Sequence, residues 1–553
     1  ITTAAPGPLA AAAAPSCAGA ELLLVGGRVR TLDDQDRVAE AVAVRGGRIV
    51  AVGTTAEVEA CAQADARRVD LQGRTVLPGL IDVHTHAIEW AKGITRGEIE
   101  TGYPAARSIA DIVSAVRERA RTTAAGEWIR SAGWDDSKLA EKRYLTRADL
   151  DAVSNGHPVY LVHVSGHLAV ANSEALRRAR VDRGTAAPPG GVIEHGADGE
   201  PTGILKDAAM QLVEPLLPPD PPDLALRAAA LATERAAEVG LTTIHDVSLS
   251  PADLRAYQDA EARGMLRTRV RMVPLVASVA EAERLAARGL HTGFGSDLLK
   301  LGGAKMVADG GMGARTIAVY DPPVAGEPGN LGLLIWKTED LKRAHHLLAA
   351  AGWQLVTHAI GDRAIDQVLD SYEEAIRTLG LRDARFRIVH AGVSTPAIQK
   401  RLRALGVGVD GNPAFVYWIG SWFAKYGPER VRWSYPGRSY LDGGIVAGAA
   451  SDVPVTPISP WWGVWAAVAR RELLTGDVLA PEERLAVRDV LRLYTRNGAW
   501  MSFEEGQLGV LAAGARADLV VLDRDVLGVP TDELRDVQVA MTVVGGRVVF
   551  ERR

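Results

Sequence analysis

Cysteine is nearly missing from this chain: its 553 residues include two, Cys17 and Cys61. Two thiols build neither a disulfide framework nor a thiolate zinc cluster, so a transition metal here would have to be held by histidine and carboxylate. An excess of positive charge is also lacking. The formal net charge is -5, and no lysine and arginine block offers the footprint a polyanion requires, which excludes nucleic acid as a partner. No apolar run after the first residues is long enough to span a membrane. What is present is the balance of an ordinary globular chain, 47% hydrophobic and 24% charged, with material for a large core and more than one domain. The expected partner is a small-molecule substrate, with a homodimer as the one self-association considered.

The first twenty residues, "ITTAAPGPLAAAAAPSCAGA", are small, apolar and uncharged. They read either as the remnant of an export signal, which places the protein outside the cytoplasm, or as a disordered leader on a cytoplasmic protein. From Glu21 to about Arg74 short β-like runs alternate with Gly-Gly turns, and the last fifty residues have the same texture in "GARADLVVLDRD" and "VQVAMTVVGGRVVF". This predicts one small composite β-sandwich domain made from 21–75 and 505–553. Between the ends, strand-like runs such as "LTTIHDVS", "WQLVTHAIGD" and "FRIVHAGV" alternate about eight times with helical patterns, which predicts a (β/α)8 TIM barrel over 76–504. A doubly wound sheet would carry a glycine-rich phosphate loop after its first strand, and none appears. The segment 91–222 is too long for one βα unit and reads as an insertion placed over the barrel mouth after the first strand.

"TVLPGLIDVH" reads as a buried strand, so His84 and His86 share a face at its C-terminal end. Four more polar residues end strand-like runs: Lys305 in "GGAKMVADGG", His358 in "LVTHAIGD", His390 in "RIVHAGV" and Asp452 in "GAASDVPV". On a barrel they converge at one mouth, and imidazoles with a carboxylate suit a divalent metal. Zinc is favoured by the histidines, although Mn, Co or Fe use the same ligands. A lysine amine repels cations, but one that has captured CO2 is an anionic carbamate; the plain alternative for Lys305 is a salt bridge.

The set His84, His86, Lys305, His358, His390 and Asp452 resembles the amidohydrolase superfamily. "GWDDSKL", "HLAVANSEAL", "DGEPTGILKDAAM", "KMVADGGMGARTI", "HAIGDRAID" and "ARADLVVLDRD" resemble its YtcJ-like and N-substituted formamide deformylase-like branch. That resemblance implies one or two divalent ions. His84, His86 and Asp452 would hold the more buried one, and a carboxylated Lys305 would bridge to a second held by His358 and His390. It also implies Asp452 as the catalytic group that takes a proton from the attacking water and returns it to the leaving nitrogen. In a single-metal variant His390 contacts substrate instead.

Around this set the residues have both a site reading and a structural one. Asp82 shares a face with His84 and either supports the site or starts the strand with a salt bridge. His245 is a support for the site or a structural residue. His163 and His167 lie in the insertion, where hydrogen bonding inside that segment competes with His167 reaching the substrate. Asp309 and Arg315 are candidates to orient substrate in a turn-rich loop containing Gly310, Gly311 and Gly313. Tyr417, Trp418 and Trp422, with Trp461, Trp462 and Trp465, read as an aromatic substrate pocket or as helix packing. Asn412 precedes Pro413 where the family often has Gln.

The function expected is metal-dependent hydrolysis of a non-peptide C-N amide bond in a small molecule, an N-substituted formamide or an N-acyl amine. The enzymatic alternative is a cyclic amide or dipeptide-like compound on the same site. The alternative from another class is a catalytically silent metal- or small-molecule-binding protein.

Overall fold

The computed structural model describes residues 17–552; the stretch 1–16, and with it most of the leader expected over 1–20, lies outside the described residues. The architecture is mixed α/β. Eight strands carry the site: β1 (Leu80–Thr85), β2 (Leu241–Leu249), β3 (Arg269–Pro274), β4 (Ala304–Val307), β5 (Leu355–Ala359), β6 (Arg387–His390), β7 (Gly408–Gly411) and β8 (Ala447–Ala449). β1, β2 and β3 pair in parallel, with Leu299–Leu301 beside β3, as a four-stranded sheet, and β4 to β8 form a five-stranded parallel sheet in chain order.

Leu299–Leu301 and β4 are consecutive pieces of chain, broken at Gly302 and Gly303 so that one piece pairs with β3 and the other with β5. A Cβ on Gly302 would sit 3.0 Å from the Arg271 Cβ, so glycine permits the close approach. Across the break the Val276 N–H donates to the Lys305 carbonyl at 2.8 Å. At the other seam the Asp452 N–H donates to the His84 carbonyl at 2.9 Å and the His86 N–H to that of Val453 at 3.1 Å. The two sheets are thereby tied at both edges, beside the residues that matter most.

Helices pack outside these strands for a reason legible in Asp362–Leu379, between β5 and β6. Ile365, Val368, Leu369, Tyr372 and Ala375 recur at helical spacing and are buried, and the helix stops at Gly380 with φ +65°. Strands from both chain ends join one six-stranded sheet, in which Leu519–Leu522 lies antiparallel to Thr75–Pro78. The segment after β1 contributes a separate five-stranded sheet that includes Val159–His163, Leu168–Ala171 and Pro201–Asp207. Among the described residues no helix is long and apolar enough to cross a membrane.

One sequence expectation needs correction. "TVLPGLIDVH" is not one strand: Thr75–Pro78 belongs to the end sheet and Leu80–Thr85 to the parallel one. Pro78 has no N–H to donate, and at Gly79 a Cβ would lie 2.2 Å from Thr242 Oγ1, so the chain switches sheets there. The two cysteines, set aside as a framework, form one bridge, Cys17–Cys61, with their Cα atoms 5.0 Å apart.

A buried ion cluster under β3 gives a stability test. Glu504 accepts from Arg271 at 2.8 and 2.9 Å and from Lys300 at 2.7 Å. Burial raises its pKa, but these cations outweigh burial and hold it at about 2 against an ordinary 4.5. Because the folded value is depressed, its stabilisation is complete above the unfolded pKa and disappears as pH falls toward 2. Glu504→Gln strands a buried guanidinium and is expected to cost about 3 kcal/mol in urea unfolding at neutral pH. At about pH 3.5 the gap from the parent narrows; an equal gap at both pH values would contradict the assignment.

Candidate metal centre

His84 stands on β1, Lys305 on β4, His358 on β5, His390 at the end of β6, and Asp452 three residues beyond β8. Register brings them side by side: Val307 is opposite His358, and Ala359 is opposite His390. His86 is the residue from which the helix Ala87–Arg96 starts. Asp452 Oδ1 lies 3.2 Å from His84 Nε2 and 3.4 Å from His86 Nε2, and Asp452 Oδ2 is 4.0 Å from His390 Nε2. The His358 and His390 ring centroids are 4.8 Å apart. Two of these residues are backbone outliers, His390 with φ +71° and Asp452 with φ +56°, a strain that persists where the surrounding structure fixes a functional position.

Protonation follows from burial. Burial drives the pKa of His84 and His358 well down, helped by Lys305 beside His84 and by His390 beside His358. The same burial takes His390 to about 4 despite Asp452. Asp452 behaves oppositely: burial alone would raise it, but His84 and His86 hold it well below the carboxylate range. Lys305, 2% exposed, is pushed down by burial to about 7, with Asp452 and Asp410 opposing. Neutral imidazoles, an ionised carboxylate and an amine that is partly free base near neutral pH form one electrostatic unit.

The residues fit a divalent metal. Both His84 ring nitrogens and Asp452 Oδ1 are buried without a hydrogen-bond partner, although the pair lies 3.2 Å apart. A tetrahedral ion with ligands at about 2.05 Å places ligand atoms about 3.3 Å from each other, so the close but unbonded spacing is what a shared cation requires. His84, His390 and Asp452 offer ligand atoms within 4.8 Å of one another. His390 Nδ1 donates to Asn412 Oδ1 at 2.7 Å, which leaves the Nε2 lone pair on the Asp452 side. His358 Nε2 can only donate to the Gly310 carbonyl, at 3.1 Å, so Nδ1 is its acceptor nitrogen.

Of the residues that surround the cluster, Asp410, Arg387 and Asp246 escaped the sequence reading, whereas Asp82 and His245 were already candidates. Asp410 on β7 faces His84 Nδ1 at 3.8 Å and is gripped by the Arg387 guanidinium at 2.6 and 2.8 Å. His245 turns out to steady that guanidinium through Nδ1 at 3.0 Å. Asp82 accepts the Ser451 N–H at 3.1 Å and the His84 N–H at 3.1 Å, tying β1 to the Asp452 turn. Asp246 accepts the Ala87 and Ile88 N–H groups at 2.7 and 3.0 Å, which fixes the helix start behind His86. A carboxylate within a strand-like run was the available signal for Asp410 and Asp246; Arg387, the first residue of β6, gave none.

The residues expected at the substrate divide. Asp309 is sealed behind His358, its oxygens accepting the N–H groups of Ala318, Ile360 and Gly361 at 2.9, 3.0 and 2.9 Å, so it braces the backbone. Arg315 pairs with Glu327 and covers the Tyr144 ring at 5.1 Å. Tyr417 and Trp418 pack with Trp462, while Trp422 borders the cavity at the cluster. His345 is buried between Ser371 and Thr357 inside the helix layer.

His163 sits with Asp135 and Asp136 in a second buried group, its Nε2 being 3.4 Å from Asp136 Oδ1. The Ser165 N–H donates to His163 Nδ1 at 3.1 Å, so in the neutral ring the proton is on Nε2. With Lys138 3.0 Å from Asp135 and Lys425 3.6 Å from Asp136, this group is an internally balanced ion network. His167 borders the cavity with His358, His390 and Asp452.

Comparison with known proteins places this geometry in a family. Residues 67–550 match the profile of the amidohydrolase family, and the chain belongs to it. Residues 41–62 match an imidazolonepropionase-like composite domain of bacteria. The chain is 31% identical over 542 residues to the N-substituted formamide deformylase of Arthrobacter pascens, covering 96% of this chain and 98% of that protein. It is 29% identical over 536 residues to YtcJ of Bacillus subtilis, covering 95% and 99%. A solved structure of an uncharacterized metal-dependent hydrolase from Pyrococcus horikoshii superposes with a TM-score of 0.73 at 26% identity, over 92% of this chain and 99% of that one.

Proposed function

We propose that this protein is a metal-dependent hydrolase of carbon-nitrogen bonds other than peptide bonds, acting on small amides of the N-substituted formamide or N-acyl amine class. The observation that carries the reading is the unpartnered His84 Nε2 facing the unpartnered, ionised Asp452 Oδ1 at 3.2 Å. The likeness to a formamide deformylase over nearly the whole chain supports the substrate class. In this reading the two parallel sheets are the halves of a (β/α)8 barrel, the segment 91–222 covers its mouth, and 21–75 with 505–553 forms one composite domain. The Cys17–Cys61 bridge favours an oxidising compartment.

His84, His86 and Asp452 would hold one ion, and His358 and His390 a second, with a Lys305 carbamate between them. When bound, the divalent cation supplies Lewis acidity that polarises a carbonyl and acidifies water. Asp452 removes a proton from the attacking water and returns it to the leaving nitrogen. Ile360, Phe415 and Val455, bordering the same cavity, exclude bulk water from the reacting amide. The test is amine release from N-cyclohexylformamide and N-acetylcyclohexylamine by protein prepared with zinc and bicarbonate. Release that stops on chelation and returns with zinc is expected; no release from either compound sinks the amide reading.

A further inference from the structure

Tyr257, Tyr372, Tyr426 and Tyr440 are buried, and each gives its hydroxyl an acceptor: Asp246, the Arg387 carbonyl, the Met312 carbonyl and the Ala391 carbonyl in turn. Tyr435, between β7 and β8, is 6% exposed, and its hydroxyl is buried without a hydrogen-bond partner. An unpaired buried hydroxyl is costly, and phenylalanine would fill the same space without that cost. The residue borders the cavity shared by His358, His390 and Asp452. Two other polar side chains there are already engaged, Ser165 with His163 Nδ1 and the Trp422 indole N–H with Ser137 Oγ.

The surroundings fix where this hydroxyl stands. Residues 433–435 run beside the chain just beyond β6, where the Ser394 N–H donates to the Trp433 carbonyl at 3.0 Å and the Tyr435 N–H to that of Gly392 at 3.1 Å. Tyr435 takes φ +50°, a costly conformation for a residue other than glycine, and the buried Arg470 guanidinium pins it by donating to the Ser434 and Tyr435 carbonyls at 3.2 and 3.1 Å. The ring is held between Phe423, stacked at 5.4 Å, and the edge-on Phe415 at 5.3 Å; Phe415 in turn stacks on His390 at 5.7 Å. A Cβ on Gly392, two residues past His390, would lie 3.3 Å from the Tyr435 hydroxyl oxygen and 2.5 Å from Ile360 Cγ2. Gly392 has no left-handed φ, so glycine is there to leave room and not to turn the chain. A strained backbone, a clamped ring and a space-making glycine thus set an unpaired donor at the cavity of the metal-ligand cluster, where packing alone calls for no hydroxyl.

We propose that Tyr435 is a catalytic residue whose O–H donates to the carbonyl oxygen of the scissile amide. This rests on the amide-hydrolase reading. A phenol is protonated at neutral pH, so the hydroxyl is a donor throughout the working range. As the oxygen of the attacking water bonds to the carbonyl carbon and its proton passes to Asp452, the C=O π pair moves onto the carbonyl oxygen. A donor fixed at that oxygen interacts more strongly with the charge that gathers there than with the neutral amide, so it lowers the barrier more than it tightens substrate binding. Clamped between two rings, the hydroxyl needs no rearrangement when the charge develops.

The experiment compares the parent with Tyr435→Phe, which keeps the ring and removes only the hydroxyl. kcat and KM for N-cyclohexylformamide are measured on zinc-loaded protein, metal per chain on the same preparations, and thermal unfolding of both proteins in chelating buffer. The variant should lose about 100-fold in kcat, keep KM within about threefold, bind as much metal as the parent, and unfold at no lower temperature, because the hydroxyl it lost was unpaired. A kcat within about threefold of the parent overturns the proposal, as does a raised KM with kcat kept. A lower unfolding temperature, a loss of metal or a failure to fold would make the hydroxyl a brace of the structure and overturn it as well. A parent that releases no amine from this compound or from N-acetylcyclohexylamine refutes the amide reading, and this contact with it; a parent that cleaves while the variant matches it refutes the contact alone.

Discussion

Asp452→Asn is expected to lower turnover of a formamide by about 10^3-fold, near 4 kcal/mol of transition-state stabilisation, while most of the bound metal stays in place. The carboxylate stands against His84 and His86 and is held ionised by them, so it is a base throughout the neutral range. Asparagine keeps an oxygen for the cation but takes no proton, and its amide cannot return one to the leaving nitrogen. The measurement is a pair of numbers on one preparation: kcat for amine release, and metal per chain by elemental analysis. Loss of turnover with metal kept assigns the proton step to Asp452. Parallel loss of both reduces Asp452 to a ligand, and unchanged turnover removes it from the chemistry. A catalytically silent binder would show no turnover in either protein.

Lys305→Ala is expected to reduce metal from about two ions per chain to one or fewer in protein prepared with bicarbonate, with activity falling in step. Burial has already lowered the amine to about 7, so a free-base fraction exists at neutral pH. In the proposed bridge its nitrogen would attack the carbon of CO2, the N–C bond forming as a C=O π pair moves to oxygen and one N–H proton passes to solvent, so that the side chain would become an anion. Lys305 lies opposite Val356, two residues before His358 and therefore on the same face of the sheet. One ion in both parent and variant would sink the bridge and leave single-metal chemistry at His84, His86 and Asp452. Preparing the parent without bicarbonate and with chelated buffer should mimic the variant, and adding bicarbonate with zinc should reverse it.

The sequence by itself determined what each strand end offers. His84, His86, Lys305, His358, His390 and Asp452 each stand in or just beyond a strand-like run, and alternation of strand and helix is enough to expect them at one mouth, because side-chain direction in a strand has period two. The structure brings these six together. Local pattern also showed the shared β texture of the two chain ends. It could not find where "TVLPGLIDVH" divides, since Pro78 and Gly79 switch sheets only because Thr242, far along the chain, lies against them. Nor could it tell a bracing carboxylate from one at the substrate. Asp309 and Asp452 both follow strands, yet three backbone N–H groups use up Asp309 while Asp452 keeps an unpartnered oxygen. The glycines of "DGGMGA" read as turn formers from sequence; only tertiary contact reveals that Gly311 clears room for His167. Those outcomes depend on partners distant in sequence, whose contacts are set by packing rather than by any periodicity, and so only the tertiary structure decided them.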